Sequence, residues 1–220
     1  HGAAVLKIEA PFTLYDFGDA PDPTYPTLLA NNGARHVATG PMLGTVRDAD
    51  TDGQPTPLAD GDDLDRAPDD EDGLISIPNL TPGTTQAPLG VQASAPGFLN
   101  TWIDFNADGD WNDEGEQIAV DLPVVAGVNQ VYVNVPVAAV MGTTYTRLRL
   151  TGYDPAGSML PTGLANDGEV EDYTIDLYQP QTSTNIVITN LTFITSNTVA
   201  QVEWNAETNI TYQMESSTNL

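Results

Sequence analysis

Hydrophobic residues recur at every second position through much of the chain after residue 74. In the run 128–137 valines alternate with polar and aromatic residues, and in the run 145–151 Leu148 and Leu150 alternate with arginines. Successive side chains of a β-strand point to opposite faces, so this period predicts sheets that bury one face. Shorter runs bounded by Pro, Gly or Asn lie at residues 74–77, 89–94, 98–105 and 117–122. Strands at such short intervals predict an all-β fold, an antiparallel β-sandwich of jelly-roll-like type.

One of these runs ends in a loop that is rich in oxygen-bearing side chains. Residues 102–116, W-I-D-F-N-A-D-G-D-W-N-D-E-G-E, begin as a strand and then place an acid or amide at alternate positions around Gly109. Ca²⁺ takes six to eight oxygen ligands, and glycine allows the tight bend that gathers them. The twelfth position is Gly115 instead of a bidentate Glu, so the loop is not a complete EF-hand. We expect a calcium loop within a β-domain, although a solvated acidic turn is the alternative. The predicted ligands are Asp104, Asn106, Asp108, Asp110 and Glu116.

The longest irregular segment, residues 44–73, carries a second copy of this spacing. Asp48, Asp50 and Asp52 precede Gly53 in a D-x-D-x-D-G pattern. Loops of this length are uncommon in compact domains unless they are functional or ordered by a ligand. A disordered acidic linker and a segment wrapped around calcium are both consistent with the composition, and the repeated spacing favours calcium. At least two ions are expected. Further candidate ligands from this segment and from residues 16–22 are Asp16, Asp19, Asp70 and Asp72.

Acidic residues also enter the last predicted strand of the domain. Glu169 and Glu171 share one face of this strand, and Asp172 points to the other. Acids at the edge of a core are unfavourable unless they are paired or bound to a metal. Arg147 and Arg149 could form buried ion pairs with them, or Glu169 and Glu171 could complete a calcium site. Both interpretations remain open at this point.

The charge and composition exclude several functional classes. The net charge of −25 argues against binding to nucleic acid or anionic membranes, which require basic patches. Of the 31 acidic residues, 24 lie in four short segments, which favours counter-cations over general solubility. Cysteine is absent, and no apolar run is long enough for membrane insertion. His36 is the only internal histidine and is interpreted as structural, and no nucleophile, phosphate-loop or zinc motif indicates an enzyme.

Several motifs occur together and in order along the chain: Y-D-F-G-D-A-P-D, G-A-R-H-V, L-G-T-V-R-D-A-D-T-D-G-Q-P, D-D-E-D-G, W-I-D-F-N-A-D-G-D-W, G-T-T-Y-T-R-L-R-L and D-G-E-V-E-D-Y. With these motifs, residues 14–178 resemble the GEVED domain of secreted and surface proteins of bacteria. The resemblance implies an extracellular β-sandwich module, usually one of several in a long adhesin-like chain. It implies no established enzymatic activity.

The rest of the chain divides into an arm, a linker and a partial second domain. Residues 1–13 predict an N-terminal arm or strand, and residues 179–185 predict a linker. Residues 186–220 hold three predicted strands and are similar to the opening half of a fibronectin-III-like repeat. Half a sandwich leaves an unpaired edge. Either the natural chain continues past Leu220, or a neighbouring chain completes the sheet by β-strand addition, with residues 1–12 as the candidate donor.

Together these observations predict a calcium-stabilised structural module of a secreted cell-surface protein, adhesin or extracellular filament. The expected partners are other surface-protein domains or identical subunits. An extracellular location is expected because weak calcium sites fill only at the calcium concentrations found outside cells, and a start at His1 fits a mature exported product. The alternative function is a calcium-dependent carbohydrate-binding module that uses Tyr132, Tyr145 or Tyr153 to bind glycans.

Overall fold

The computed structural model describes residues 13–61 and 70–179 in full, and the backbone of Asn190–Thr192 and Gln201–Glu203. The chain divides into two compact units, His1–Pro180 and Gln181–Leu220. Residues 1–12 of the predicted arm (1–13), residues 180–185 of the predicted linker (179–185) and most of the predicted second domain lie outside the described residues. Within the part described, regular structure is β except for one 3₁₀ turn at Leu29–Asn31, and no helix is long and apolar enough to cross a membrane.

Two antiparallel sheets form the body of the first unit. Strands of the central sheet are β5 (Gly97–Ile103), β6 (Gln117–Val124), β8 (Gly142–Thr151) and β10 (Glu169–Leu177). Strands of the second sheet are β3 (Leu74–Ser76), β4 (Ala87–Ala93) and β7 (Gly127–Val133). Their spatial orders are β10-β8-β5-β6 in the central sheet and β3-β4-β7 in the second sheet. These strands overlap the runs predicted from the alternating pattern.

A single hydrophobic core lies between these two sheets. Leu148 and Leu150 of β8 and Leu99 of β5 are fully buried in it, together with Leu89 and Val131 from the second sheet. Residues adjacent to these in their strands face away from this core, as the period of two requires. The predicted all-β, antiparallel sandwich architecture is therefore confirmed.

The other face of the central sheet is covered by an outer layer that the alternating pattern does not predict. This layer contains the short strands β1 (Tyr15–Phe17), β2 (Arg35–Val37) and β9 (Leu164–Ala165), and the turns around them. Strand β2 pairs antiparallel with β1 and parallel with β9. A second buried cluster lies on this side and includes Trp102 of β5. Tyr25 from the outer layer contacts Trp111, with ring centroids 4.5 Å apart.

The second unit contributes two short paired strands to the described residues. Strand β11 (Asn190–Thr192) pairs antiparallel with β12 (Gln201–Glu203). They fall within two of the three strands predicted for residues 186–220, and the third lies outside the described residues. The fibronectin-III-like repeat therefore stays a prediction.

Candidate metal centre

Three buried carboxylates from distant parts of the chain converge beside the central sheet. Asp16 comes from β1, and Glu169 is the first residue of β10. Asp70 lies near the end of the irregular segment at residues 44–73, which we call the acidic segment. Each offers a carboxylate oxygen, and these three oxygens lie within 4.8 Å of one another. The exposed fractions of the three residues are 2%, 4% and 0%. We refer to these three residues as the carboxylate centre.

Backbone amides from neighbouring segments hold the carboxylates in place. The N–H of Val170 donates to Asp16 at 2.6 Å, and the N–H of Asp48 donates to Asp70 at 3.1 Å. Glu169 accepts the N–H of Leu43 through Oε2. The other oxygen of Glu169, Oε1, is buried and has no hydrogen-bond partner among the described residues. A buried carboxylate oxygen without a hydrogen-bond donor is unfavourable, and a cation bound at this position would satisfy it.

The electrostatics of the carboxylate centre lead to the same conclusion. Burial, followed by the charges of Asp16 and Glu171, raises the pKa of Glu169 to about 12. Burial also raises the pKa of Asp16 well above its usual range, and the charge of Asp70 adds to this effect. Clustered carboxylates in a dry site must either bind protons or neutralise their charge with a cation. Oxygen-only donors of this kind suit hard divalent cations.

Two further predicted ligands flank the centre without joining it. Glu171 accepts the N–H of Gly73 at 3.0 Å and the hydroxyl of Tyr173 at 2.8 Å. Asp72 accepts the N–H and the hydroxyl of Thr45. Burial raises the pKa of Glu171 well above its usual range, and the charges of Asp72 and Asp70 contribute. These residues add negative charge around the centre and fix the surrounding backbone.

The other acids of the outer layer mainly hold turns. Asp52 accepts the N–H of Leu29 at 2.6 Å and the N–H of Gly53. Asp19 accepts the N–H of Gly61 at 2.6 Å. Asp48 and Asp50 follow the predicted D-x-D-x-D-G spacing. Within the described part of the chain, however, the structure does not bring these two and Asp52 together as a three-oxygen group.

The loop at residues 104–116 separates its predicted ligands into two sets. Asp104 is buried and accepts the hydroxyl of Tyr25 at 2.6 Å and the N–H of Ala107 at 2.6 Å. Glu116 is also buried and accepts the N–H of Phe105 at 3.0 Å. Burial, with smaller contributions from the charges of Asp104 and Asp113, raises the pKa of Glu116 to about 7. Asp104 and Glu116 thus hold the loop through its own backbone.

The second set of acids in this loop faces solvent. Asp108, Asp110 and Asp113 each offer an oxygen within 4.8 Å of the others. The side-chain amide of Asn106 donates to Asp113 at 2.6 Å and to Asp108 at 3.2 Å. Water can solvate acids at these exposed or half-buried positions. This group is therefore a weaker candidate for a cation than the carboxylate centre.

Among the acids of the last strand, Asp172 forms a buried ion pair with Arg147. Its guanidinium is fully buried and forms a bidentate ion pair with Asp172, with N–O distances of 2.6 Å. Glu169 and Glu171 lie on the opposite face of β10 and form no ion pair with either arginine of β8. The ring of Trp111 stacks against the guanidinium carbon at 4.7 Å. The remaining N–H groups of Arg147 donate to Pro26, Thr27 and Pro161.

Arginine 149 has a different set of partners and contacts no carboxylate. Its Nε–H donates to Nε2 of His36 at 3.0 Å, and its other N–H groups reach backbone carbonyls. Because Nε2 of His36 accepts, Nδ1 carries the proton and donates to the carbonyl of Asp167 at 2.7 Å. Burial and the charge of Arg149 lower the pKa of His36 well below its usual range. This is the structural role expected for His36. The carbonyls bound by Arg149 are those of Arg35, Leu160, Thr162 and Gly163.

Sequence patterns did not indicate the connecting role of these arginines. Arg147 and Arg149 alternate with core leucines, so their side chains point to the outer-layer face of β8. A T-R-L-R-L run shows that two cations lie on one face of a strand. It does not show that backbone carbonyls from distant turns accept hydrogen bonds from most of their N–H groups.

Comparisons with known proteins bear on the central part of this site. Searches of curated proteins and of solved structures returned no match. The family model of the GEVED domain matches residues 98–176, which run from β5 almost to the end of β10. The matched segment contains Arg147, Arg149, Glu169, Glu171 and Asp172, whereas Asp16 and Asp70 precede it. Residues 98–176 are therefore similar to the GEVED domain, over a shorter range than the motifs alone suggest.

Proposed function

We propose that this chain is a non-catalytic structural module of a secreted surface protein, and that calcium bound at the carboxylate centre stabilises its fold. The GEVED match is consistent with a module of surface proteins. The observation that supports calcium most directly is the buried group of Asp16, Asp70 and Glu169, in which Oε1 of Glu169 has no partner among the described residues.

Calcium fits the donor set better than other common metals. Carboxylate oxygens are hard ligands, and calcium tolerates the irregular geometry that separate chain segments impose. No cysteine is available, and Nε2 of His36 already accepts from Arg149, which leaves no soft or imidazole ligand for zinc among the residues that the structure describes. When bound, the ion supplies positive charge that offsets the repulsion between the buried carboxylates. Asp16, Asp70 and Glu169 hold it between β1, the acidic segment and β10.

The expected stabilisation is moderate and depends on the calcium concentration. Extracellular modules typically bind calcium with Kd near 10⁻⁴–10⁻³ M, so millimolar calcium adds roughly 0.4–1.4 kcal/mol per site. That is a measurable share of the usual stability of about 5–15 kcal/mol. The same burial argues against catalysis, since carboxylates with exposed fractions of 4% or less are not accessible to a substrate.

The structure offers less support for carbohydrate binding. Tyr132 is 53% exposed on the second sheet, whereas Tyr153 is 37% exposed and lines a cleft of about 400 Å³ with Asn32 and Asp154. Tyr145 packs against Tyr25 and donates its hydroxyl to the carbonyl of Pro57. The three candidate tyrosines therefore do not form a common binding platform.

Thermal unfolding with calcium and with a chelator tests the proposal. We expect calcium to raise the melting temperature of the natural sequence and to have little effect on Glu169→Gln. Asp176→Asn is the matched control, because Asp176 lies exposed on the same strand, and it should keep the full calcium response. Calorimetric titration of the chelator-treated protein should show binding in the natural sequence and in the control. Absence of both binding and a melting shift in the natural sequence would rule out the calcium site.

A further inference from the structure

The outer layer is held on the central sheet by two separate sets of contacts. The first set, which we call the arginine contacts, consists of the hydrogen bonds made by Arg147 and Arg149. Each guanidinium has five N–H donors, and all of them are matched by acceptors in the described residues. These contacts reach turns at residues 26–36 and 160–163 and involve only one carboxylate, Asp172.

The second set, which we call the carboxylate contacts, holds the acidic segment. Asp72 accepts the backbone N–H of Thr45 at 2.9 Å, and Asp70 accepts that of Asp48 at 3.1 Å. The N–H of Asp50 donates to the carbonyl of Tyr15, which adjoins Asp16. Residues 45–50 are therefore fixed largely through acids in or beside the carboxylate centre. Arg47 adds contacts to the carbonyls of Thr39, Pro41 and Gly168 at 3.1–3.4 Å.

Neighbouring residues have additional support from the second sheet. Gly44 donates its N–H to the carbonyl of Gln92 at 2.9 Å, and Gln92 donates in turn to the carbonyl of Gly73 at 2.8 Å. These backbone hydrogen bonds do not depend on carboxylates. The residues that rely mainly on acids in or beside the carboxylate centre are thus 45–50 and 70–72.

The two sets respond differently to the loss of a cation. The arginine contacts join positive groups to carbonyls and to one opposite charge, and every N–H donor is satisfied without a bound cation. The carboxylate contacts gather like charges in a dry site, where the charge of Arg47 offsets only part of the repulsion and a cation or protons must neutralise the rest. Segments that depend on such contacts open at lower free energy than the core of a domain.

We propose that calcium controls a local opening of residues 45–50 and 70–72. With calcium bound, residues 45–50 and 70–72 lie against β1 and β10. Without calcium they separate, while the sandwich and the turns held by the arginine contacts stay folded. This inference rests on the proposed calcium site and adds a conformational consequence to it. The chain then has two folded states, closed and locally open, and the calcium concentration selects between them.

Hydrogen exchange of the intact chain, with peptides resolved by mass spectrometry, tests this proposal. Removing calcium should speed exchange at residues 45–50 and 70–72 by about tenfold or more, since local opening exposes these amides. Amides of β4, β5 and β8 and of residues 27–36 should change by less than about twofold. Calorimetric titration of the same sample reports calcium binding independently. Absence of binding rejects the calcium site itself, whereas binding with uniform exchange changes, or with none at 45–50, overturns only the local opening.

Two variants separate the two sets of contacts. Thr45→Ala removes one hydrogen bond to Asp72 and leaves the carboxylate centre intact. It should speed exchange at residues 45–48 even in calcium and weaken calcium binding by a few-fold, because opening and binding are linked. Arg149→Lys should instead speed exchange at residues 160–163 whether or not calcium is present. If Arg149→Lys does not fold, Thr45→Ala alone decides: unchanged exchange at 45–48 in calcium contradicts the proposal.

Discussion

Several charged side chains of this domain are buried, and each has specific hydrogen-bond partners. Asp104 is the clearest case outside the carboxylate centre, since two backbone amides and the hydroxyl of Tyr25 surround its carboxylate. The contact with Tyr25 joins the outer layer to the loop at 104–116. A hydrogen bond to a charged group typically contributes more than a neutral one.

Removing the hydroxyl of Tyr25 should therefore destabilise the domain. We expect Tyr25→Phe to lower the free energy of unfolding by about 1.5–3 kcal/mol, as for hydrogen bonds to charged groups. Tyr132→Phe is the control, because Tyr132 is exposed on the second sheet and should give less than about 0.5 kcal/mol. Chemical denaturation of both variants in calcium measures the difference. Equal effects would show that the Tyr25–Asp104 contact contributes no net stability.

The pH dependence of stability provides a second test at the residue scale. In the folded chain the pKa of His36 lies well below its usual value, whereas in the unfolded chain His36 binds a proton below about pH 6.5. The unfolded state then binds more protons, so stability is lost as pH falls below about 6.5. From pH 7.5 to pH 5 the loss is at most about 2 kcal/mol, the limit that protonation of His36 in the unfolded chain alone sets.

His36→Asn isolates this contribution from the many carboxylates. An asparagine side chain can accept a hydrogen bond from Arg149 but does not titrate. The free energy of unfolding of His36→Asn therefore has no contribution from histidine protonation at any pH. We expect the stability difference between the natural sequence and the variant to shrink or reverse as pH falls from 7.5 to 5. Denaturation at several pH values gives this difference directly. Parallel curves would mean that His36 binds protons equally in the folded and unfolded states, which contradicts the lowered pKa.

At the scale of elements, glycine 168 determines how strand β10 begins. Its φ is +97°, and a Cβ at this position would overlap the backbone carbonyl oxygen of Leu150. Glu169 follows immediately and points into the carboxylate centre. The first glycine of the G-E-V-E-D run thus allows a close approach of two backbones, which places the first acid.

Gly168→Ala should disrupt this start of the strand. We expect a loss of more than about 3 kcal/mol, because backbone strain and a clash with β8 act together. Gly127→Ala is a matched control, since Gly127 has φ of +99° and a Cβ there would have nothing within 4 Å. The control should lose only the strain term of about 1–2 kcal/mol. Similar losses in the two variants would show that the close approach to Leu150 has no energetic effect.

Elements differ in how well their sequences predict them. Strands β4 to β8 and β10 are seven or more residues long and turn one face toward the hydrophobic core, so their alternation is visible in the chain. Strands β1, β2 and β9 have two or three residues and form only because the central sheet and the arginines position them. Local spacing cannot show such tertiary effects.

The same limit applies to the candidate site. Asp16, Asp70 and Glu169 were each predicted as ligands, but spacing along the chain did not show that these three converge. The more regular pattern at 104–116 suggested one calcium loop, although not a complete EF-hand. In the structure, Asp104 and Glu116 are buried and accept hydrogen bonds from backbone N–H groups of their own loop. Regular spacing identified acids with a local role, and only the fold identifies the group that is buried together.

At the scale of the whole molecule, the net charge of −25 creates a general repulsion in addition to the local one at the carboxylate centre. Salt and divalent cations weaken this general repulsion by screening, and the screening length is about 10 Å at an ionic strength of 0.1 M. A buried site is screened far less. The two contributions to calcium stabilisation are therefore separable by experiment.

High sodium chloride should remove the general contribution and leave the specific one. We expect calcium to retain more than about half of its effect on the melting temperature of the natural sequence when the salt approaches 1 M, where screening acts within about 3 Å. Magnesium should stabilise less than calcium, since it demands octahedral geometry and keeps its water. In Glu169→Gln the remaining effect of calcium should disappear in high salt. If high salt abolishes the calcium effect equally in both proteins, calcium acts as a general counter-ion and the buried carboxylates are neutralised by protons instead.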